Sequence, residues 1–189
     1  MMEFLSDLDT ALFSFINIKI ANPVTNFIMP IITDDRLLRV LYATAMIILL
    51  WKGNARLRWM ILFSIIALTL ADQISAGLLK NWIGRPRPCH IFDHNSINML
   101  VHCGAGKSMP SAHAANVFAQ AVFFSYSDRQ PRIYLFTFAT LVALSRVFVG
   151  VHYPGDILAG SLLGAVIGLI VILIFNRIKN KLPKVSNGI

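Results

Sequence analysis

With 189 residues the chain has room for one domain; 56% of them are hydrophobic, 14% are charged, and mean hydropathy is +0.66. A water-soluble domain has about a quarter of its residues charged, so the composition excludes a free globule and assigns the chain to lipid. The net charge of +8 fits a cytoplasmic membrane flank plus an anion site; nucleic acid is set aside, because no basic run is interleaved with aromatics on a soluble segment.

The N-terminus, MMEFLSDLDT, is acidic and lacks the basic region and long apolar run of a cleavable signal. Residues 11–32 are apolar enough to suggest a span, but Asn17, Lys19, Asn22, Pro23 and Asn26 interrupt them. The expectation for 1–34 is therefore two short amphipathic helices lying in the membrane interface, broken at Asn22-Pro23. A spanning helix needs roughly 20 mainly apolar residues, and five segments qualify: 37–51, 59–79, 109–126, 133–149 and 157–175. The first is short and begins near Arg39, whose side chain can snorkel. The second carries Asp72, an acid that needs a partner inside the bundle or supports Lys80 two turns later. The last has Gly160, Gly164 and Gly168 at every fourth position. Either a neighbouring helix approaches closely there or small residues are merely tolerated. The fold class expected is all-α: an integral membrane bundle of five transmembrane helices plus N-terminal interfacial helices. Residues 35–189 form its catalytic domain.

Lysine and arginine fix the orientation. One side of a five-span chain receives nine, among them Lys52, Arg56, Arg58, Arg129, Arg132 and Lys184; the other receives eight. Four of those eight, Lys80, Arg85, Arg87 and Arg146, lie in motifs where a binding site explains them, leaving nine against four. The tail 177–189 is then cytoplasmic and the polar loop 80–109 faces outward, as expected for a bacterial cytoplasmic membrane protein with a periplasmic site. Cys89 and Cys103 fall on that oxidising side. Two readings stay open, a disulfide stapling the loop or two free thiols.

Three clusters stand at the outward ends of spans. They are Lys80 to Arg87-Pro88; Pro110-Ser111-Ala112-His113; and Ser145-Arg146 followed by His152 and Asp156. Their residue types suit one task. A phosphate monoester brings two negative charges to a site bordered by lipid, and fixed cations are needed to offset its lost hydration. Lys80, Arg87 and Arg146 supply them, arginine with paired donors and lysine as a point charge. Ser111 adds a hydroxyl. Pro110 suits a helix start whose free N–H groups, including that of Ala112, favour an anion. His152 is read as a nucleophile, oriented by Asp156 four residues on. His113 is left to protonate the departing oxygen and later to activate water. No metal or other cofactor is called for.

Taken singly, each residue has a duller reading. Lys80 and Arg87 can simply meet head groups, and His113 can be a packing histidine; Ser145 and Arg85 are accessory candidates beside the site, with a surface role open for Arg85, and Lys107 serves to attract anionic head groups. The joint arrangement carries the argument. His90, His94 and His102 share the outer loop with both cysteines and Asp93, but their spacings match no standard zinc pattern. Thr33, Asp34 and Asp35 are placed near the entrance, in reach of a head group.

The clusters resemble the type 2 phosphatidic acid phosphatase (PAP2) superfamily, whose pattern is K-x6-RP, then PSGH, then SR-x5-H-x3-D. The match covers residues 80–156 and departs once, with Ala112 in place of glycine. The resemblance implies a helical bundle, a phosphohistidine mechanism, metal independence and a lipid phosphate substrate. That substrate is undecaprenyl diphosphate, phosphatidylglycerol phosphate, phosphatidic acid or lipid A; no protein partner is called for. Two rivals are a phosphotransferase with the same site and a non-enzymatic lipid transporter.

Overall fold

The computed structural model describes residues 2–93, 95–127 and 132–181. His94, Arg129, Lys184 and the tail beyond Lys181, invoked above, lie outside the described residues. Among the described residues every regular element is helical. In chain order they are α1 (Met2–Ser14), running on into a π-helical turn (Phe15–Lys19); α2 (Pro23–Ile32); α3 (Asp35–Lys52); and α4 (Ala55–Asp72). A second π-helical stretch (Gln73–Leu79) leads into α5 (Lys80–Ile83), and then come α6 (Pro88–Ile91), α7 (Ala112–Ser127), α8 (Arg132–Phe148) and α9 (Pro154–Ile178).

Local chemistry sets the boundaries. Asn22 accepts from the N–H groups of Val24 and Thr25 while Thr25 reaches back to it, and Pro23 occupies the first position of α2. The chain breaks where the sequence places the break, with α1 and its π-helical extension bent by 113° from α2. Asp34 caps α3 through Leu37 at 2.7 Å, and Asn54 caps α4 through Leu57 at 2.9 Å.

Among the described residues, two helices are long and apolar enough to cross a membrane: Ala55–Ile91, with 37 residues, and Pro154–Lys181, with 28. The bent N-terminal pair makes a third if it counts as one span. The other expected spans fall on shorter or more charged helices. α7 has 16 residues and α8 has 17, and α3, with 18, carries Asp35, Arg36, Arg39 and Lys52. Sixteen residues extend about 24 Å, against roughly 30 Å of hydrocarbon.

The seam between α7 and α9 organises the bundle. A Cβ built on Gly160, Gly164 or Gly168 would stand 2.3, 2.0 or 2.4 Å from the carbonyl oxygens of Ser111, Ala115 and Ala119. Glycine is there so that the two backbones touch. Ala67 and Ala71 of α4 and Phe123, Ile172 and Phe175 complete this core. The outer faces are apolar instead of charged, with Trp51 and Leu158 exposed, as lipid contact requires. Asp72 is partnered within the bundle, accepting from Asn116 at 3.1 Å.

A second core of Phe13, Cys89, Ile97, Val147, Val149, Val151 and Tyr153 closes the end that bears the motifs. Asn17, read from sequence as an interruption, is fully buried there. Its Nδ2 donates to the carbonyls of Asn98, Val147 and Phe148 at 3.0, 3.1 and 2.9 Å, and its Oδ1 accepts the Asn98 N–H at 2.8 Å. Gly150, at φ +83°, turns the chain beside it.

Candidate active site

The turn after α8 delivers His152. The N–H groups of Val151 and His152 both bond the Arg146 carbonyl, folding residues 146–152 back over the end of α8. Pro154 then starts α9, and Asp156 in its first turn accepts the Tyr153 N–H through Oδ2 at 2.8 Å. The same oxygen lies 3.4 Å from His152 Nδ1. Asp156 Oδ1 takes Arg85 Nη1 at 2.9 Å and the Ser108 hydroxyl at 3.4 Å. His152 and Asp156 are both buried. Burial, reinforced by the fields of Arg146, Lys80 and Arg87, holds the His152 ring well below the ordinary imidazole value. That environment favours the neutral ring, and a proton on Nδ1, which faces the carboxylate, would leave the Nε2 lone pair free.

Three cations converge on that ring. Arg87, at the start of α6, donates Nη1 to the Cys103 carbonyl at 2.6 Å, and Gly104 and Gly106 lie against its guanidinium. A Cys89–Cys103 disulfide, with Cα atoms 6.0 Å apart, ties this loop down beside it. Of the two readings left open by sequence, the structure has the disulfide. It also removes both thiols from the Cys89, His90 and Cys103 group that would otherwise suit a metal. Arg146 donates Nη1 to Thr33 Oγ1 at 2.6 Å. Among the described residues, the buried Nε atoms of Arg87 and Arg146 have no partner, and the Lys80 ammonium makes no hydrogen bond. Unmatched buried donors of one sign are what an anion would satisfy.

Ser111 and His113 enter from the start of α7. Ser111 is fully buried, its N–H bonded to the Asp156 carbonyl at 3.0 Å and its Oγ accepting from the Ala114 N–H at 3.4 Å. Ala112 opens the helix, and its side chain is partly exposed. His113 Nε2 lies 3.0 Å from Asp35 Oδ1 and 3.5 Å from Arg146 Nη1. Ser145 turns away, donating to the Val142 carbonyl of its own helix at 2.7 Å.

The residues expected at the site thus gather at one end of the bundle, apart from Ser145 and Lys107, which is exposed with no hydrogen bond. A PAP2 superfamily sequence profile matches residues 57–180. This chain belongs to the PAP2 superfamily. A lipid A 4'-phosphatase of Bacteroides thetaiotaomicron is 32% identical over 96% of this chain and 83% of its own length. An undecaprenyl-diphosphatase of Bacillus subtilis is 28% identical over 86% of this chain and 89% of its own. The crystal structure of Aquifex aeolicus LpxE superposes with a TM-score of 0.74 at 25% identity, covering 88% of this chain and 95% of that one. A PAP2-type phosphatidylglycerolphosphate phosphatase from Bacillus subtilis has the same TM-score at 23% identity, a likeness of fold.

Within this PAP2 fold, sequence reasoning missed Asp9. It lies 2.7 Å from Arg85 and accepts the Gly155 N–H at 2.7 Å. An exposed-looking acid near the N-terminus, 146 residues before Gly155, carries no signal in the sequence. Thr33 and Asp35 were placed near the entrance; the structure brings them onto Arg146 and His113 themselves.

Proposed function

We propose that this chain is a membrane lipid phosphatase that hydrolyses a phosphate monoester or diphosphate on a lipid head group through a phosphohistidine intermediate. One observation carries the reading: the partnerless buried Nε atoms of Arg87 and Arg146 beside a neutral His152 whose Nδ1 faces Asp156.

His152 Nε2 attacks phosphorus as the bond to the leaving oxygen breaks, and His113 gives that oxygen its proton. Lys80, Arg87 and Arg146 take up the charge on the equatorial oxygens, with the Ser111 hydroxyl and the Ala112 N–H completing the cradle. Water then attacks phosphorus, His113 accepts its proton, and the P–N pair returns to Nε2. Asp156 holds the Nδ1 proton throughout and offsets the cationic ring. None of these steps draws on a metal.

The substrate reading rests on the relatives, and lipid A stands first because a lipid A 4'-phosphatase is similar across 96% of the chain. The chain is read as five-spanning in a bacterial cytoplasmic membrane, with α3, α7 and α8 completing the set and the site facing outward. Helices shorter than the bilayer core are accommodated by local thinning.

The test is phosphate release by purified protein from lipid A, undecaprenyl diphosphate, phosphatidylglycerol phosphate and phosphatidic acid, with and without chelator. His152→Ala is expected to lose about a thousandfold or more in rate, and chelator to leave the rate unchanged. Retained activity in His152→Ala would overturn the mechanism. Loss on chelation that one divalent ion restores would overturn its metal independence.

A further inference from the structure

Arg85 sits between two carboxylates. Its Nη1 donates to Asp156 Oδ1 at 2.9 Å and lies 2.7 Å from Asp9 Oδ2, and its guanidinium stacks 4.0 Å from the centroid of the Tyr153 ring. Asp9 Oδ1 accepts the Gly155 N–H at 2.7 Å, so one acid on α1 grips both Arg85 and the first turn of α9. The fit is close: a Cβ on Gly155 would stand 2.7 Å from Asp9 Oδ2. Side-chain exposure falls from 22% at Arg85 to 14% at Asp9 and none at Asp156.

In such a setting the charge count matters, because water does little screening. Arg85 fixes Oδ1 of Asp156 and so aims Oδ2 at His152. Alone, it would also cancel the carboxylate's charge. A cancelled Asp156 does little for a ring that turns cationic when Nε2 bonds phosphorus. Asp9 supplies a second carboxylate, and the three groups together keep a single net negative charge behind His152.

We infer that Asp9 is a positioning residue for the phosphoryl-transfer step: by balancing Arg85, it lets that arginine clamp Asp156 without quenching the field Asp156 exerts on His152. The inference rests on the reading of His152 as nucleophile. It also makes the N-terminal helix a working part of the site.

Asp9→Asn tests it, since the amide keeps the shape and an acceptor for Gly155 while removing the charge. The expected result is a fall in kcat of about tenfold or more, the scale typical of a partner once removed from the reacting group. KM is expected to hold, because Lys80, Arg87 and Arg146 are untouched. Around His152 stand Asp156 of α9, Arg146 of α8, Lys80 of α5, Arg87 of α6 and His113 of α7. With these unchanged, loss of one negative charge disfavours the protonated ring, so the acid limb of kcat/KM moves to lower pH. The double variant Asp9→Asn/Arg85→Gln removes one charge of each sign and is expected to be faster than Asp9→Asn alone. Asp7→Asn, exposed on the same helix, is expected to match the parent.

Parental kcat in Asp9→Asn overturns the inference, as does a double variant slower than the single one. So does a loss of activity accompanied by a lowered melting temperature with the acid limb unmoved. Those failures are distinct from failure of the underlying mechanism, which shows as activity in His152→Ala.

Discussion

Gly164→Ala adds one methyl group at the tightest point of the α7–α9 seam. Its Cβ would lie 2.0 Å from the Ala115 carbonyl oxygen and 2.8 Å from the carbonyl carbon, whereas ordinary contact begins at 3.4 Å. The helices would have to part by roughly 1.4 Å, and the obstruction is backbone, which has no rotamer to adopt. Overpacking a core costs about 1–3 kcal/mol, and an immovable neighbour places this case near ~3 kcal/mol. For a domain of this length that corresponds to a melting temperature lower by ~6–12 °C. Activity is expected to fall further than stability suggests, because α9 carries Asp156 and α7 carries Ser111 and His113. A displacement of about 1 Å between reacting groups can cost on the order of a hundredfold in rate. Gly77→Ala is the control: its Cβ would meet only Gln73 Oε1 at 3.7 Å, and its effect is expected within about 0.5 kcal/mol. Thermal unfolding in detergent and phosphate release, measured on both variants, decide the matter. A Gly164→Ala protein that melts and turns over like the Gly77→Ala protein would refute the claim that backbone contact holds this seam.

Three further outcomes are expected. The acid limb of kcat/KM, which reports the free enzyme, lies below pH 6.5, because burial and three cations disfavour the protonated His152 ring and leave it neutral through ordinary pH; a limb above that value in a pH–rate series contradicts the assignment. Reduction of Cys89–Cys103, or Cys103→Ser, frees the loop whose Cys103 carbonyl holds Arg87 at 2.6 Å. KM is therefore expected to rise severalfold, about 1 kcal/mol for a hydrogen bond to a charged group weakened by loop motion, in steady-state kinetics with and without reductant. Asn17→Ala leaves the Val147 carbonyl only the Gly150 N–H and takes the side-chain partner from the part-buried Phe148 carbonyl and Asn98 N–H, and a stability loss of about 1–3 kcal/mol is expected in thermal unfolding.

Much of this site can be read from sequence because membrane insertion is itself a spatial code. On the five-span reading spans alternate direction, which puts Lys80, Arg87, Ser111, His113, Arg146, His152 and Asp156 at the same sort of span end and so on one face. The four-residue step from His152 to Asp156 is local and needs no tertiary knowledge. What escapes is whatever depends on one polar residue finding a distant partner. Asn17 and Asp9 look like flaws in an apolar helix until Val147 and Arg85 are set beside them. Asp35 reads as an acid near the entrance, in reach of a head group, and its carboxylate proves to lie on His113. Periodicity reports which face of a helix is apolar and says nothing of which single polar atom on the other face has been claimed. Span counting meets a similar limit: α7 and α8 are apolar but short, and length alone does not distinguish a crossing helix from one sheltered by its neighbours.

The glycine seam also restricts traffic. Where Gly160, Gly164 and Gly168 lie on the main chain of α7 there is no gap wide enough for a hydrocarbon tail, so this side of the bundle is shut to an approaching lipid. The most conspicuous small-residue stripe in the molecule is therefore a wall.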